Sequence, residues 1–184
     1  MGSDWMLPTS PSSATDVKPY SSAFELFPDM LNALRTAVLP SHFIYLLGWH
    51  VQIDEIMPLE KPFGTPSSCL REVLKAADAE GVSVRAMLDY DMTQKRNVEN
   101  GAAVRFINSL DNGAAILDGR VLQFGAHHQK VLVVSGSQGV IAFVGGYDIH
   151  PSRWHWVDVH CRLLGGPRCR SWNFFISVGM IIRR

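Results

Sequence analysis

Cysteine, net charge and long apolar runs are all scarce in this chain of 184 residues. Its three cysteines, Cys69, Cys161 and Cys169, are odd in number, far apart and without a CxxC pair, so they offer no disulfide framework. Lys+Arg and Asp+Glu number 17 each, for a net charge of +0, and nothing global draws the chain to nucleic acid or anionic lipid. No stretch reaches the roughly 18–20 apolar residues of a membrane span. The start, MGSDWMLPTSPSS, lacks the basic end and apolar core of a signal peptide. Together these absences set the expectation of a cytoplasmic protein with reduced thiols. What the chain does have is apolar mass: 47% hydrophobic residues, enough for a real core and too many for general disorder.

Residues 1–21 are rich in Ser, Pro and Thr without a period and read as a mobile tail. Ser22-Ala-Phe-Glu25 has capping-box spacing, and Pro28 suits a first helical turn; Met30, Leu31, Leu34 and Val38 then share one helical face. The dense run His42–Ile53 predicts a strand buried on both faces. Residues 57–68 form a loop, and Leu70, Val73, Leu74 and Ala77 give a second amphipathic helix closed by Gly81. A strand over 82–88, a helix over 98–110 and a short strand over 114–117 follow. Strands at 130–134 and 140–144 are joined by Ser135-Gly-Ser-Gln-Gly139, a hairpin signal, and 157–164 is the last strand. Helices interleaved with strands, then a hairpin, predict an α/β sandwich: a mixed β-sheet flanked by helices, one domain over 22–167. Residues 168–184 form an irregular segment, read as truncated.

Chemistry concentrates in Gly125-Ala-His-His-Gln-Lys-Val-Leu-Val-Val134, Ala142-Phe-Val-Gly-Gly-Tyr-Asp148 and Asp158-Val-His160. His128 and Lys130 are two apart, so at a strand start they share a face. An ammonium beside an imidazole suits an anionic substrate: the cation holds phosphate oxygens while the imidazole attacks or shuttles a proton. Gly145-Gly146 at the end of the neighbouring strand permits close approach of backbone and ligand. An isolated HxK pair is weak evidence, and the order of the whole block strengthens it.

That order resembles the phospholipase D superfamily, whose signature is HxKxxxxD, a strand, a Gly-Gly or Gly-Ser pair and an Asn or Asp two further on. The likeness runs from about Ser22 to Pro167 and includes FIYLLGWHVQID and LREVLKAADAEGVSVRAML. It is to the N-terminal, first-motif half of a two-motif bacterial phospholipase D-like protein. The resemblance implies that His128 is the nucleophile of a phosphohistidine intermediate and that Lys130 binds the phosphoryl oxygens. Gly145, Gly146 and Asp148 would line the pocket, and Asp158 would hydrogen-bond the imidazole to fix its tautomer; His127 and Gln129 would point away as supporting residues. It also implies a phosphodiester substrate, in this motif style a phospholipid rather than nucleic acid, with peripheral membrane contact and no cofactor or metal.

Two departures matter. Ser135 stands where the signature has Asp, and only one HxK occurs, where the family pairs two motifs, one His attacking and the other protonating the leaving alkoxide. A full site would need a homodimer or a second catalytic half. Alternatives are a homodimeric single-motif nuclease and an inactive interaction domain. A metal centre drawn from His127, His128, His150, His155, His160, Asp148, Asp158 and Cys161 lacks HExxH or CxxC spacing. His42, His50, His150, His155 and His160 therefore read as structural or surface histidines. Trp154 and Trp156 beside His155 offer an aromatic wall or rim.

Overall fold

The structure, a computed structural model, describes residues 15–54, 57–91, 96–120 and 126–165. Of the expected tail over 1–21, residues 1–14 lie outside the described residues, as does the whole of the expected irregular segment over 168–184. Chain order is β1 (Thr15–Tyr20), α1 (Ala23–Leu34), β2 (Phe43–Gly48), α2 (Leu70–Ala79), β3 (Ser83–Asp89), α3 (Asn97–Asn108), β4 (Gly113–Asp118), β5 (Lys130–Gly136), β6 (Gly139–Gly145) and β7 (His160–Gly165). Short 3-10 turns lie at Pro66–Ser68 and Pro151–His155.

The strands form one 7-stranded sheet in the order β1-β7-β6-β5-β2-β3-β4. β2, β3 and β4 are parallel, joined through α2 and α3, while the remaining pairs are antiparallel. This is the expected mixed α/β architecture. The three helices among the described residues feed one core. Leu26, Phe27 and Leu34 of α1, Leu70 and Leu74 of α2, and Ala103 and Ile107 of α3 join alternate strand residues such as Ile44, Leu46, Val84, Ala86, Leu132, Val134 and Phe143.

Local chemistry explains the helix ends. Ser22 Oγ accepts from the Phe24 N–H at 3.3 Å at the start of α1. Gly81, at φ 79, takes the left-handed position after α2, where the Gly81 N–H donates to the Asp78 carbonyl at 2.8 Å and the Val82 N–H to the Ala77 carbonyl at 3.1 Å. The β5–β6 hairpin closes through Ser137-Gln138, with Gly139 at φ 95.

Four local expectations are corrected. Thr15–Tyr20 is a strand, not part of a tail: its pairing comes from β7, a tertiary partner that local composition does not reveal. It is an edge strand, exposed over residues 16–19 and buried at Tyr20, so Pro19 is tolerated. Tyr20 anchors it by donating its hydroxyl to Asp29 in α1. β2 stops at Gly48 and is buried on alternate residues, because its second face is only partly covered. Pro28 lies inside α1, beyond the first turn, and Val38 falls past the helix end and is exposed.

The register brings the strand ends to one edge of the sheet. Gly48 stands opposite Lys130, Gly145 opposite His160 and Asp89 opposite Asp118. The carboxyl ends of the parallel strands and the segments before β5 and after β6 therefore share one crevice, the usual ligand position in open α/β sheets.

Candidate active site

Lys130, the first residue of β5, is buried although charged, and burial holds its ammonium pKa below the ordinary lysine value, against the opposing pull of Asp148. Its Nζ lies 3.4 Å from Asp148 Oδ1, with the two side chains 3% and 0% exposed. Asp148 in turn receives Arg153 Nη2 at 2.8 Å and the His50 backbone N–H at 3.0 Å. One carboxylate thus sits between two cations, leaving one net positive charge in the cluster.

His128, two residues ahead on an exposed stretch, meets this cluster through its ring. Lys130 Nζ donates to His128 Nε2 at 3.3 Å. An ammonium has donors and no acceptor, so Nε2 must present its lone pair and the neutral ring carries its proton on Nδ1. Trp49, just past β2, is the platform beneath both groups: its ring centroid is 4.5 Å from that of His128 and 4.6 Å from Lys130 Nζ. The Arg96 guanidinium stacks on the same indole at 4.1 Å and pairs with Asp89 and Asp91, each at 3.3 Å.

The sequence-predicted residues fall into two groups. His128, Lys130 and Asp148 form one connected chain of contacts. Gly145 and Gly146 lie against β7 and its approach. A Cβ on Gly145 would come within 2.5 Å of His160 Cα, and one on Gly146 would overlap the Asp158 carboxylate. Close approach at these glycines is therefore to the chain itself.

Asp158 is half-buried there and accepts from the Val159 N–H at 2.8 Å. The structure contains no hydrogen bond between Asp158 and His128; the tautomer of His128 is set by Lys130 instead. Tyr147 holds the segment that carries Asp158: its hydroxyl donates to the Ser21 carbonyl at 2.9 Å and accepts from the Asp158 N–H at 3.0 Å.

His127 points away from His128, as alternation requires, and pairs with Asp118 at 2.8 Å. The Arg120 guanidinium, at 2.7 Å, holds the Asp118 carboxyl down to about 2 despite the opposing effect of burial. The His127 backbone N–H donates to Asp89 Oδ1 at 2.7 Å, so the acids ending β3 and β4 both brace the segment that presents His128. Gln129 is also turned inward.

His160 is buried, accepts from the Tyr147 N–H at 3.3 Å and is pushed down to about 4 by burial, so it is a neutral structural imidazole, as expected. Beside it, a cavity of about 10 Å³ lined by Lys130, Tyr147, Asp148 and His160 has room for one water and none for a substrate.

Sequence reasoning missed Trp49, Glu99, Arg153 and the acids Asp89 and Asp118. The acids stood at the ends of predicted parallel strands, a position that marks ligand crevices and could have flagged them. His50 was read as a strand histidine. It lies past β2, its Nε2 bonded to Glu99 of α3, and stacks on His150 with ring centroids 4.0 Å apart. Burial and the neighbouring His50 lower the pKa of His150.

A mixed sheet gathering an exposed imidazole and a buried lysine at one edge is the phospholipase D-type α/β fold. Comparison with solved structures agrees. NucT from Helicobacter pylori superposes with a TM-score of 0.59 and 12% identity over 90% of this chain and 95% of that one. Nuc from Salmonella typhimurium, a phospholipase D family member, does so with 0.55 and 17% over 89% and 90%. No protein-family model matches the chain. Among curated proteins, phospholipase D alpha 1 of Oryza sativa subsp. japonica is 28% identical over 156 residues, 68% of this chain and 19% of that protein. The chain is related to the phospholipase D superfamily, and it spans about a fifth of the length of the curated relatives it matches.

Proposed function

We propose that this chain is one motif-bearing half of a phospholipase D-type phosphodiesterase, with His128 as the nucleophile and Lys130 as the phosphoryl-binding cation. The observation that carries the reading is the bond from buried Lys130 to the exposed His128 Nε2, which leaves a lone pair on the one ring nitrogen beside a fixed positive charge. His128 Nε2 attacks phosphorus and the bond to the leaving alkoxide breaks, giving a phosphohistidine. Lys130 shifts its hydrogen bond from Nε2 to a phosphoryl oxygen. Asp148 keeps Lys130 charged, and Gly145, Gly146 and Asp158 form the adjoining wall.

The proton for the leaving alkoxide comes from a second imidazole, supplied by a homodimer partner or a second catalytic half. Water or an alcohol then attacks phosphorus and gives its proton to that second imidazole, the P–N bond breaks, and both histidines are regenerated. No metal enters these steps. A phospholipid is the favoured substrate: the matched curated relatives are named phospholipases D, and Trp156, Val157 and Val159, flanking Asp158, are 55%, 83% and 63% exposed, an apolar rim suited to a bilayer surface.

The test is specific turnover of a chromogenic phosphodiester across a range of protein concentrations. Specific activity that rises with concentration and saturates is the expected signature of two copies completing one site, with His128→Ala abolishing it and leaving the fold intact. Parent-like activity in His128→Ala ends this reading. Zero turnover at every concentration ends the homodimer form of it and leaves the second-half form to be tried with an added partner domain.

A further inference from the structure

We propose that His50, Glu99 and His150 form a divalent transition-metal site, suited to Zn²⁺, that ties together three separate elements beside the candidate active site. The site is independent of the phosphodiesterase reading. His50 follows β2, Glu99 lies in the first turn of α3, and His150 follows β6, so an ion held by all three would pin segments far apart in sequence.

The donor atoms already converge. One ligand atom from each residue lies within 4.8 Å of the other two. His50 Nε2 bonds Glu99 Oε2, and His150 Nε2 is 3.7 Å from Glu99 Oε1. Donors around a tetrahedral zinc, at about 2.0–2.1 Å from the ion, stand roughly 3.4 Å from one another. Closing the triad on an ion therefore needs side-chain shifts of about an ångström and no backbone rearrangement. The two imidazoles stack within 26° of parallel with both Nε2 atoms turned to the same carboxylate, an arrangement that aims both Nε2–H groups at the point an ion would take once it displaces those protons.

The surroundings supply what a ligand histidine needs. His150 Nδ1 is 2.8 Å from Ser152 Oγ and accepts from the Ser152 N–H at 3.2 Å. On loading, the ring proton moves from Nε2 to Nδ1, which then donates to Ser152 Oγ and gives up its bond from the Ser152 N–H, freeing Nε2 for the ion. The His50, Glu99 and His150 side chains are 19%, 33% and 18% exposed, which leaves a path for the ion and a fourth, water-filled position. Two imidazoles and one carboxylate select zinc-like ions over calcium or magnesium, which favour all-oxygen shells. The His50 backbone N–H also donates to Asp148 Oδ1 at 3.0 Å, so fixing His50 fixes the carboxylate that holds Lys130.

The experiment is zinc binding by calorimetry on the full chain after chelator treatment, beside His50→Ala, Glu99→Gln and His150→Ala, each checked for an intact fold by circular dichroism. Melting scans with and without zinc, calcium or magnesium, and cobalt(II) absorption spectra, are run on the same proteins. The expected result is one zinc per chain, at least tenfold weaker in each variant. A melting rise specific to zinc and a four-coordinate cobalt spectrum should both disappear in His50→Ala. Zinc affinity unchanged in the three variants, or absent from the parent, overturns the proposal; the first outcome would place the ion on exposed histidines such as His128 or His155. Should His50→Ala fail to fold, Glu99→Gln, which keeps a hydrogen-bonding side chain at that position, decides.

Discussion

Replacing Asp148 by Asn is the most direct way to ask whether the buried Lys130–Asp148 pair organises this site. The carboxylate and the ammonium are 3.4 Å apart and 0% and 3% exposed, so neither is solvated by water. At an effective dielectric of about 20, unit charges at that distance attract by roughly 5 kcal/mol. Asparagine keeps the shape and loses that attraction, leaving Lys130 beside the cationic Arg153. Lys130 can escape by releasing its proton, which from an ordinary value of 10.5 costs about 5 kcal/mol at pH 7. Arg153 can turn toward solvent, which softens the loss.

The expected destabilisation is therefore about 3–5 kcal/mol. Lys130→Met should cost less, about 1–2 kcal/mol, because Asp148 retains Arg153 at 2.8 Å and the His50 N–H at 3.0 Å. The Lys130→Met/Asp148→Asn double variant should be more stable than Asp148→Asn alone. Urea unfolding at pH 7, with unchanged slopes, reads all three. Equal single losses that simply add in the double variant would refute the argument, since they would mean that Lys130 is not held by this carboxylate.

Other outcomes follow from the same geometry. His160, pushed down to about 4, stays neutral in the fold while the unfolded chain takes up a proton near 6.5, so its contribution is complete above pH 6.5 and is lost as pH falls toward 4. That loss is about 3 kcal/mol, and His160→Gln should flatten the stability–pH curve between those values; an unchanged curve would show that His160 is not the titrating group. Gly145→Ala should cost about 1–3 kcal/mol by pushing its Cβ against the backbone of Val159 and His160, and a parent-like melting temperature would contradict the close packing of β6 and β7.

Much of the fold was legible because it rests on local rules. The Ser22 cap, the amphipathic α2 with Gly81 after it, and the hairpin between β5 and β6 each follow from side-chain periodicity or from a backbone angle that glycine supplies. The spacing of His128 and Lys130 placed both on one side of the strand start for the same reason. β1 was missed because an edge strand exposed over residues 16–19 has almost no pattern of its own; β7 supplies its hydrogen bonds. Likewise the length of β2 was overestimated, since an apolar run does not show where pairing with β5 stops.

For this protein, then, the sequence by itself determined the alternation of helices and strands, the mixed sheet they build, and the identity of the imidazole and ammonium beside one another. Only the tertiary structure decided which charges meet. Asp148 reached Lys130, Trp49 came to lie under both, and Glu99 was drawn between His50 and His150, because parallel and antiparallel strands end at the same edge of one sheet. Residues 98 positions apart, such as His50 and Asp148, become neighbours there through strand order and register, which are set by burial of the whole core and not by any local signal.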